Sequence, residues 1–205
     1  PPPKQAPSAT KATQKSSLRA EPTTKSVKKK EQPKKISRAT AMELLSSART
    51  LWRNQEHDLA IDALKQVLAG DEATNLSLSE QNETRYLLAT IHRDVGDYGR
   101  AATLLRTVSN QDMGITGRMA QLELARLEAR HLGQQAKAQK ILEALVTSGT
   151  LDIVAEEGLF ELCALYIKTS QWPQAKNCLQ NFLAKFSDSE RSAEAESLLN
   201  NLPKL

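Results

Sequence analysis

From Arg38 onward, apolar residues recur at three- and four-residue spacings, with Leu and Ala predominating. That spacing predicts helices whose one face is buried. No proline falls between Pro33 and Pro173, and no run of alternating β-branched residues suggests a strand. Four segments repeat one layout: a helix, a short turn, then a second helix that opens on a small residue followed by spaced leucines. They are ELLSSARTLWRNQEHDLAIDALKQVL (43–68), TRYLLATIHRDVGDYGRAATLLRTV (84–108), QLELARLEARHLGQQAKAQKILEALV (121–146) and LFELCALYIKTSQWPQAKNCLQNFL (159–183).

The register is carried by Ala60, Ala101, Ala138 and Ala175, at intervals of 41, 37 and 37 residues. Four residues after each comes a leucine: Leu64, Leu105, Leu142 and Leu179. Three further on stand Val67, Val108, Leu145 and Phe182. A small residue lets two helices approach, and the larger ones fill the groove between them. Gly96 and Gly133 sit where first helices must stop, which is glycine's preferred place. Pro173 falls at the start of a second helix, where its missing N–H is harmless.

These features resemble the tetratricopeptide (TPR) repeat family. Gly96-Asp97-Tyr98-Gly99-Arg100-Ala101 is similar to that family's turn, and Trp172-Pro173-Gln174-Ala175 to its aromatic-to-Ala step. The resemblance implies an all-α, right-handed α-solenoid of about four TPR-like helix pairs, with residues 190–200 as a C-terminal capping helix. The intervals exceed the family's usual 34 residues. Longer helices or insertions are therefore expected at 70–80, 109–118 and 147–155. Phe182-Leu183-Ala184-Lys185-Phe186-Ser187-Asp188-Ser189, with Ala193, Ala195 and Leu198-Leu199, is further similar to a turn and Ala-rich helix in Gram-negative envelope proteins. The types in question are the outer-membrane assembly lipoprotein and the Tol-Pal coordinator. Ser187 stands where their pattern has Pro.

Charge divides the chain. Residues 1–36 hold ten Lys/Arg against two Glu and six of the eight prolines, whereas residues 37–205 hold eighteen Lys/Arg against twenty-two Asp/Glu. Residues 1–37 are expected to be a disordered Pro/Lys-rich basic linker, and 38–202 the repeat domain. Val27-Lys28-Lys29-Lys30 with Lys34-Lys35 reads as a solvated spacer, a patch for an anionic surface, or a nuclear or nucleic-acid contact. The basic balance belongs to the tail, so nucleic acid is not expected as a ligand of the repeats. The start on Pro1 rather than Met is read as a fragment or processed product. A membrane link is expected only through a segment upstream of residue 1, since no window approaches eighteen apolar residues.

Little of the sequence suggests chemistry. There is no phosphate-binding loop, dinucleotide fingerprint or zinc-protease motif. His57, His92 and His131 fall in different repeats with no second ligand at metal spacing, and are read as polar helix-face or turn residues. Cys163 and Cys178 are read as buried free thiols, the alternatives being a disulfide, which would imply an oxidising compartment, or a catalytic thiol. No catalytic residue, metal or cofactor is expected, and the chain is read as a non-enzyme.

The TPR resemblance implies that first helices line the concave face and carry ligand contacts. It selects Leu45, Arg49, Trp52 and Arg53; Glu83, Tyr86, Thr90, Arg93 and Asp94; Glu123, Leu127, Arg130 and His131; and Glu157, Phe160, Ala164, Ile167 and Lys168. The candidate partner-binding residues are Arg49, Trp52, Arg53, Tyr86, Thr90, Arg93, Leu127, Arg130, Phe160, Ile167 and Lys168. Arg53, Arg93, Arg130 and Lys168 are expected at equivalent levels, as a row of cations suited to carboxylates. Trp52, Tyr86 and Phe160 offer flat apolar contacts. The alternative is that the aromatics pack between repeats and the arginines pair with nearby acids. The expected function is a protein–protein interaction scaffold holding a peptide or protein, with acidic residues among its contacts. The envelope resemblance places it in the periplasm, within a pilus, secretion, cell-wall or outer-membrane machine; the alternative location is cytoplasmic. Self-association into homo-oligomers, or tail-mediated binding of an anionic surface or nucleic acid, are the other readings.

Overall fold

The computed structural model describes residues 36–69, 76–147, 149 and 151–203. The chain divides into two units, Pro1–Gln32 and Pro33–Leu205, and every described residue lies in the second. Of the expected linker over 1–37, residues 1–35 lie outside the described residues, while Ile36 packs against the first apolar cluster and Ser37 caps the first helix.

Among the described residues there are nine helices and no strand. α1 (Arg38–Arg53) pairs with α2 (His57–Ala69), α3 (Leu78–Asp94) with α4 (Tyr98–Gln111), α5 (Ile115–Arg130) with α6 (Gln135–Thr147), and α7 (Ile153–Lys168) with α8 (Trp172–Lys185). α9 (Ser192–Asn200) packs against α8. Each helix packs on the next, and the first helices α3, α5 and α7 also touch one another in sequence. The result is a helical solenoid of four pairs plus a cap.

The alanine register is the backbone of this packing. Ala60, Ala101, Ala138 and Ala175 are all fully buried, as are Leu64, Leu179, Val67, Val108 and Phe182. Three successive apolar clusters result, centred on the first pair, the second pair with α5, and the third and fourth pairs. Ala195 of α9 joins the last cluster, together with Leu198 and Leu199. α9 thus covers the apolar end of the array.

The turns inside the pairs share one geometry. Five residues before each register alanine stand Gln55, Gly96, Gly133 and Ser170, with φ of 65°, 81°, 65° and 58°. This left-handed conformation ends each first helix and reverses the chain. Glycine takes it without strain in the middle pairs; Gln55 and Ser170 take it against their Cβ atoms. The second helices are entered through Asp97, whose carboxylate accepts from Arg100 N, and through Pro173 in the first turn of α8.

The extra repeat length goes into the first helices. α3, α5 and α7 begin at Leu78, Ile115 and Ile153, upstream of the repeat segments recognised in the sequence. The N-termini of α3 and α7 are capped by side chains, whereas α5 starts at Gly114 without one. Ser77 and Glu80 form a reciprocal capping box, and Asp152 accepts from Val154 N and Ala155 N, both at 3.0 Å. The α5 entry is tight: a Cβ on Gly117 would lie 1.6 Å from the Asp112 carbonyl oxygen, so only glycine fits there. The described residues of 109–118 and 147–155 thus carry helix ends and starts, while 70–75, 148 and 150 lie outside the described residues.

Two expectations are corrected. Cys163 and Cys178 form a disulfide with Cα atoms 5.3 Å apart, joining α7 to α8, and are not free thiols. Cys163 takes a small-residue position in α7 and Cys178 lies on α8 of the same pair, where the two helices face each other closely enough for the bridge. His92 is not a surface residue. It is buried beside the second turn, with Nδ1 3.7 Å from Asp97 Oδ2, and burial lowers its pKa from the ordinary 6.5 although Asp97 opposes that shift. No described helix is long and apolar enough to cross a membrane.

Candidate functional site: a two-part groove on the first helices

The first helices run parallel. Arg38 at the start of α1 pairs with Glu80 at the start of α3, and Trp52 Nε1 near the end of α1 donates to Asp94 Oδ2 at the end of α3 at 2.9 Å. Arg118 near the start of α5 pairs with Asp152, the cap of α7. Side chains on their shared face therefore form continuous rows across repeats.

The N-terminal part of this face is a groove of about 420 Å³. Arg49 and Trp52 of α1, Glu83, Tyr86, Leu87, Thr90 and Arg93 of α3, and Thr116, Met119 and Glu123 of α5 line it. Five of the candidate partner-binding residues meet here, Arg49, Trp52, Tyr86, Thr90 and Arg93, together with Glu83 and Glu123 of the wider stripe. Thr90 Oγ1 is used internally, donating to the Tyr86 carbonyl. Burial raises the Tyr86 pKa above its ordinary 10, Glu123 raises it further, and Arg93 and Arg126 oppose them. The phenol therefore stays protonated and able to donate.

The C-terminal part is built from charge. Arg126 of α5 reaches three carboxylates: Glu123 at 2.8 Å, Glu157 at 2.6 Å and Glu161 at 2.9 Å. Arg93 also holds Glu123 at 2.8 Å, Arg130 holds Glu161 at 2.5 Å, and Arg191 holds Glu157 at 3.3 Å. Arg93 further donates to Asp94. Four arginines thus face four acids, and this lattice has no net charge. Burial works against the Arg126 charge, but its bonds to Glu123 and Glu161 outweigh that and raise its pKa. A cavity of about 430 Å³ lies over this lattice, and a smaller one of about 150 Å³ lies beyond it, between Arg130, Ala164 and Lys168.

Several selected residues do not offer themselves to a partner. Leu127 is 1% exposed and Phe160 is 6% exposed, both core members. Phe160 packs edge-on against Phe182, with the Arg191 guanidinium 4.6 Å above its ring. Ile167 is half-buried against the last core cluster. The expected row of four equivalent cations is also corrected. In the alanine register, Arg93 and Arg130 share the position held by Trp52 and Ile167, while Arg53 and Lys168 share the next position with Asp94 and His131. Arg53 and Lys168 are exposed, and Arg93 and Arg130 are already held by carboxylates. His131 stacks on Tyr98, with ring centroids 3.9 Å apart.

The sequence reading missed Arg126, which organises the lattice. The signal was there: Glu123 precedes it by three residues and Glu157 and Glu161 are spaced by four, so both acids fall on one face of α7. Among the described residues no group of three His, Cys, Asp or Glu is placed to hold a metal.

No family model matches the chain, and no curated protein matches it. Solved structures do. A kinesin light chain-like protein of nearly identical TPR-like repeats from Podosopora anserina aligns at 23% identity and TM-score 0.61, covering 76% of this chain and 78% of that one. MamA from Desulfovibrio magneticus RS-1 aligns at 18% identity and TM-score 0.60, covering 78% and 81%. A tetratricopeptide repeat protein from Parabacteroides merdae aligns at 20% identity and TM-score 0.66, covering 79% and 59%. The fold of this chain is that of a TPR-like α-solenoid.

Proposed function

We propose that the protein is a non-enzymatic interaction scaffold that seats a segment of a partner protein in the N-terminal part of the groove. The observation carrying this reading is the convergence of Trp52, Tyr86, Leu87 and Met119 from three successive first helices around one open concavity. Aromatic and Met side chains supply contact area at little ordering cost, and exposed Arg49 stands at the rim to meet a carboxylate. The partner segment is thus an apolar anchor with an acidic neighbour. The acidic preference rests on Arg49 and Arg53, because Arg93, Arg126 and Arg130 are neutralised by their own acids. Leu127, Phe160 and Ile167 act as the packed support beneath the face, and Lys168 as an outlying charge.

The reading extends to location. A buried disulfide favours an oxidising compartment, which supports the periplasmic, cell-envelope setting that the C-terminal resemblance implies. There the Pro/Lys-rich segment acts as a spacer between an upstream anchor and the repeats.

The test places a photo-crosslinking residue at Tyr86 or Met119 of the full chain in its native cells, with Lys65 on α2 as the control site. A discrete adduct with a second protein from the two groove sites and not from Lys65 is the expected result. Labelling of the same protein from all three sites, or none from the groove, would remove the groove from the interaction.

A further inference from the structure

The entry to each of three first helices carries a pair of aliphatic side chains: Leu76 and Leu78, Met113 and Ile115, Leu151 and Ile153. In each pair one residue precedes the N-cap and the other opens the helix. A residue before the N-cap ordinarily packs on the fourth helical residue. Leu76 is buried, but Met113 and Leu151 would meet Arg118 and Glu156 at that place, and they remain 88% and 66% exposed. Ile115, Ile153 and Leu78 are each more than half exposed as well. Helix capping therefore does not account for this row.

Because the first helices run parallel, the row lies along one edge of the solenoid. The Arg118–Asp152 pair ties its second and third levels together. Five large aliphatic side chains exposed to this degree present on the order of 500–600 Å², the upper range for a patch on a monomer.

The structure assigns this edge to a second copy of the same chain, in a two-fold contact. The row is repetitive, so turning one copy end over end lays Leu78 against Leu151 and Ile153 of the other, and Met113 with Ile115 against themselves. Two such patches bury on the order of 1,100 Å², close to the lower limit for a specific interface. The rim suits a neutral partner. Asp152 is held by Arg118 and Glu80 by Arg38; Asp112 caps Gly114 N at 2.7 Å, and Glu156 accepts from Ser189 Oγ at 2.5 Å. Among the described residues no basic cluster flanks the row, as a contact with anionic lipid would require. The row lies at the helix starts, whereas the groove extends along the same helices toward their ends, with Thr116 and Met119 its residues nearest the row.

Sedimentation of the full chain over roughly 5–200 µM tests the proposal. A mass rising from 22.6 kDa to twice that value is expected. Met113→Lys/Leu151→Lys should stay monomeric across the range with unchanged helicity, and Arg49→Glu at the groove rim should dimerise like the parent. Met113→Cys, at the middle of the row, should form a covalent homodimer on mild oxidation. A parent that stays monomeric at the highest concentration overturns the proposal. So does a dimer unaffected by the Lys pair, or a monomer that floats with phosphatidylcholine/phosphatidylglycerol vesicles in a Met113-dependent way.

Discussion

The two parts of the groove use the same helices and the same register to opposite ends. Around Trp52, Tyr86 and Met119 the inner face is apolar and open, with polar groups at its rim. Around Arg126 the same face is filled by its own counter-ions. A solenoid needs each level to hold the next, and the chain meets that need differently in its halves. The N-terminal half is joined by buried aliphatics, the Trp52–Asp94 hydrogen bond and the Arg38–Glu80 pair at the helix starts, leaving its groove for others. The C-terminal half is joined by a charge lattice and a disulfide, leaving little electrostatic demand unmet.

The largest test of this contrast is reduction of Cys163–Cys178. A bridge closing a loop of fifteen residues is worth about 3 kcal/mol. Reduction should lower the melting midpoint of the C-terminal half first. Trp52 and Trp172 report on the two halves separately, so single-Trp variants should show Trp172 responding before Trp52. Coincident loss of both signals would mean the halves melt as one unit.

Arg126→Met comes next. It leaves Glu123, Glu157 and Glu161 half-buried with fewer cations, and should cost about 2 kcal/mol in chemical denaturation. Arg49→Met, at the open rim, should cost less than about 0.5 kcal/mol. Equal costs would erase the distinction between a structural and an available half.

Smaller gains are expected at the turns. Ser170→Gly and Gln55→Gly relieve a left-handed backbone at the two non-glycine positions and should each stabilise by roughly 0.5–1 kcal/mol, one in each half. A loss in either variant would mean the side chain contributes more than its backbone strain costs.

The smallest effect is pH dependence through His92. Its folded pKa lies below 6.5, so the unfolded chain binds the proton more readily. The contribution is fully present above pH 6.5 and is lost as pH falls toward the folded value. Melting midpoints should decline between pH 7.5 and 5.5, and His92→Gln should flatten that decline. Glu80 and Asp152, whose pKa values are lowered by Ser77 and Arg118 respectively, stabilise fully above about pH 4.5 and lose that contribution only as pH falls below it.

Much of the fold was legible because it depends on spacing within single helices. The alanine register and the Gly96 and Gly133 turns are local patterns, and a helix's buried stripe follows from them. The site was less legible because it depends on which helices become neighbours. Arg126 and Leu127 differ by one position, a rotation of about 100°, which turns an inward-facing leucine into a lattice-forming arginine. Phe160 looked like Tyr86 in the register, but α9 and Arg191 close over its repeat and bury it. His92 was within reach of pattern reading, since Leu88, Ile91 and His92 share the buried face of α3.

The disulfide has a mechanical side. A pull on the two ends of this chain would unravel helix pairs one level at a time, each lengthening the molecule as its coils straighten. The stretch between Cys163 and Cys178 is excluded from that extension while the bond is intact, withholding about 50 Å of contour. The last pair would then behave as a stop at one end of an extensible spring, and the redox state of a single bond would set how far the spring can run.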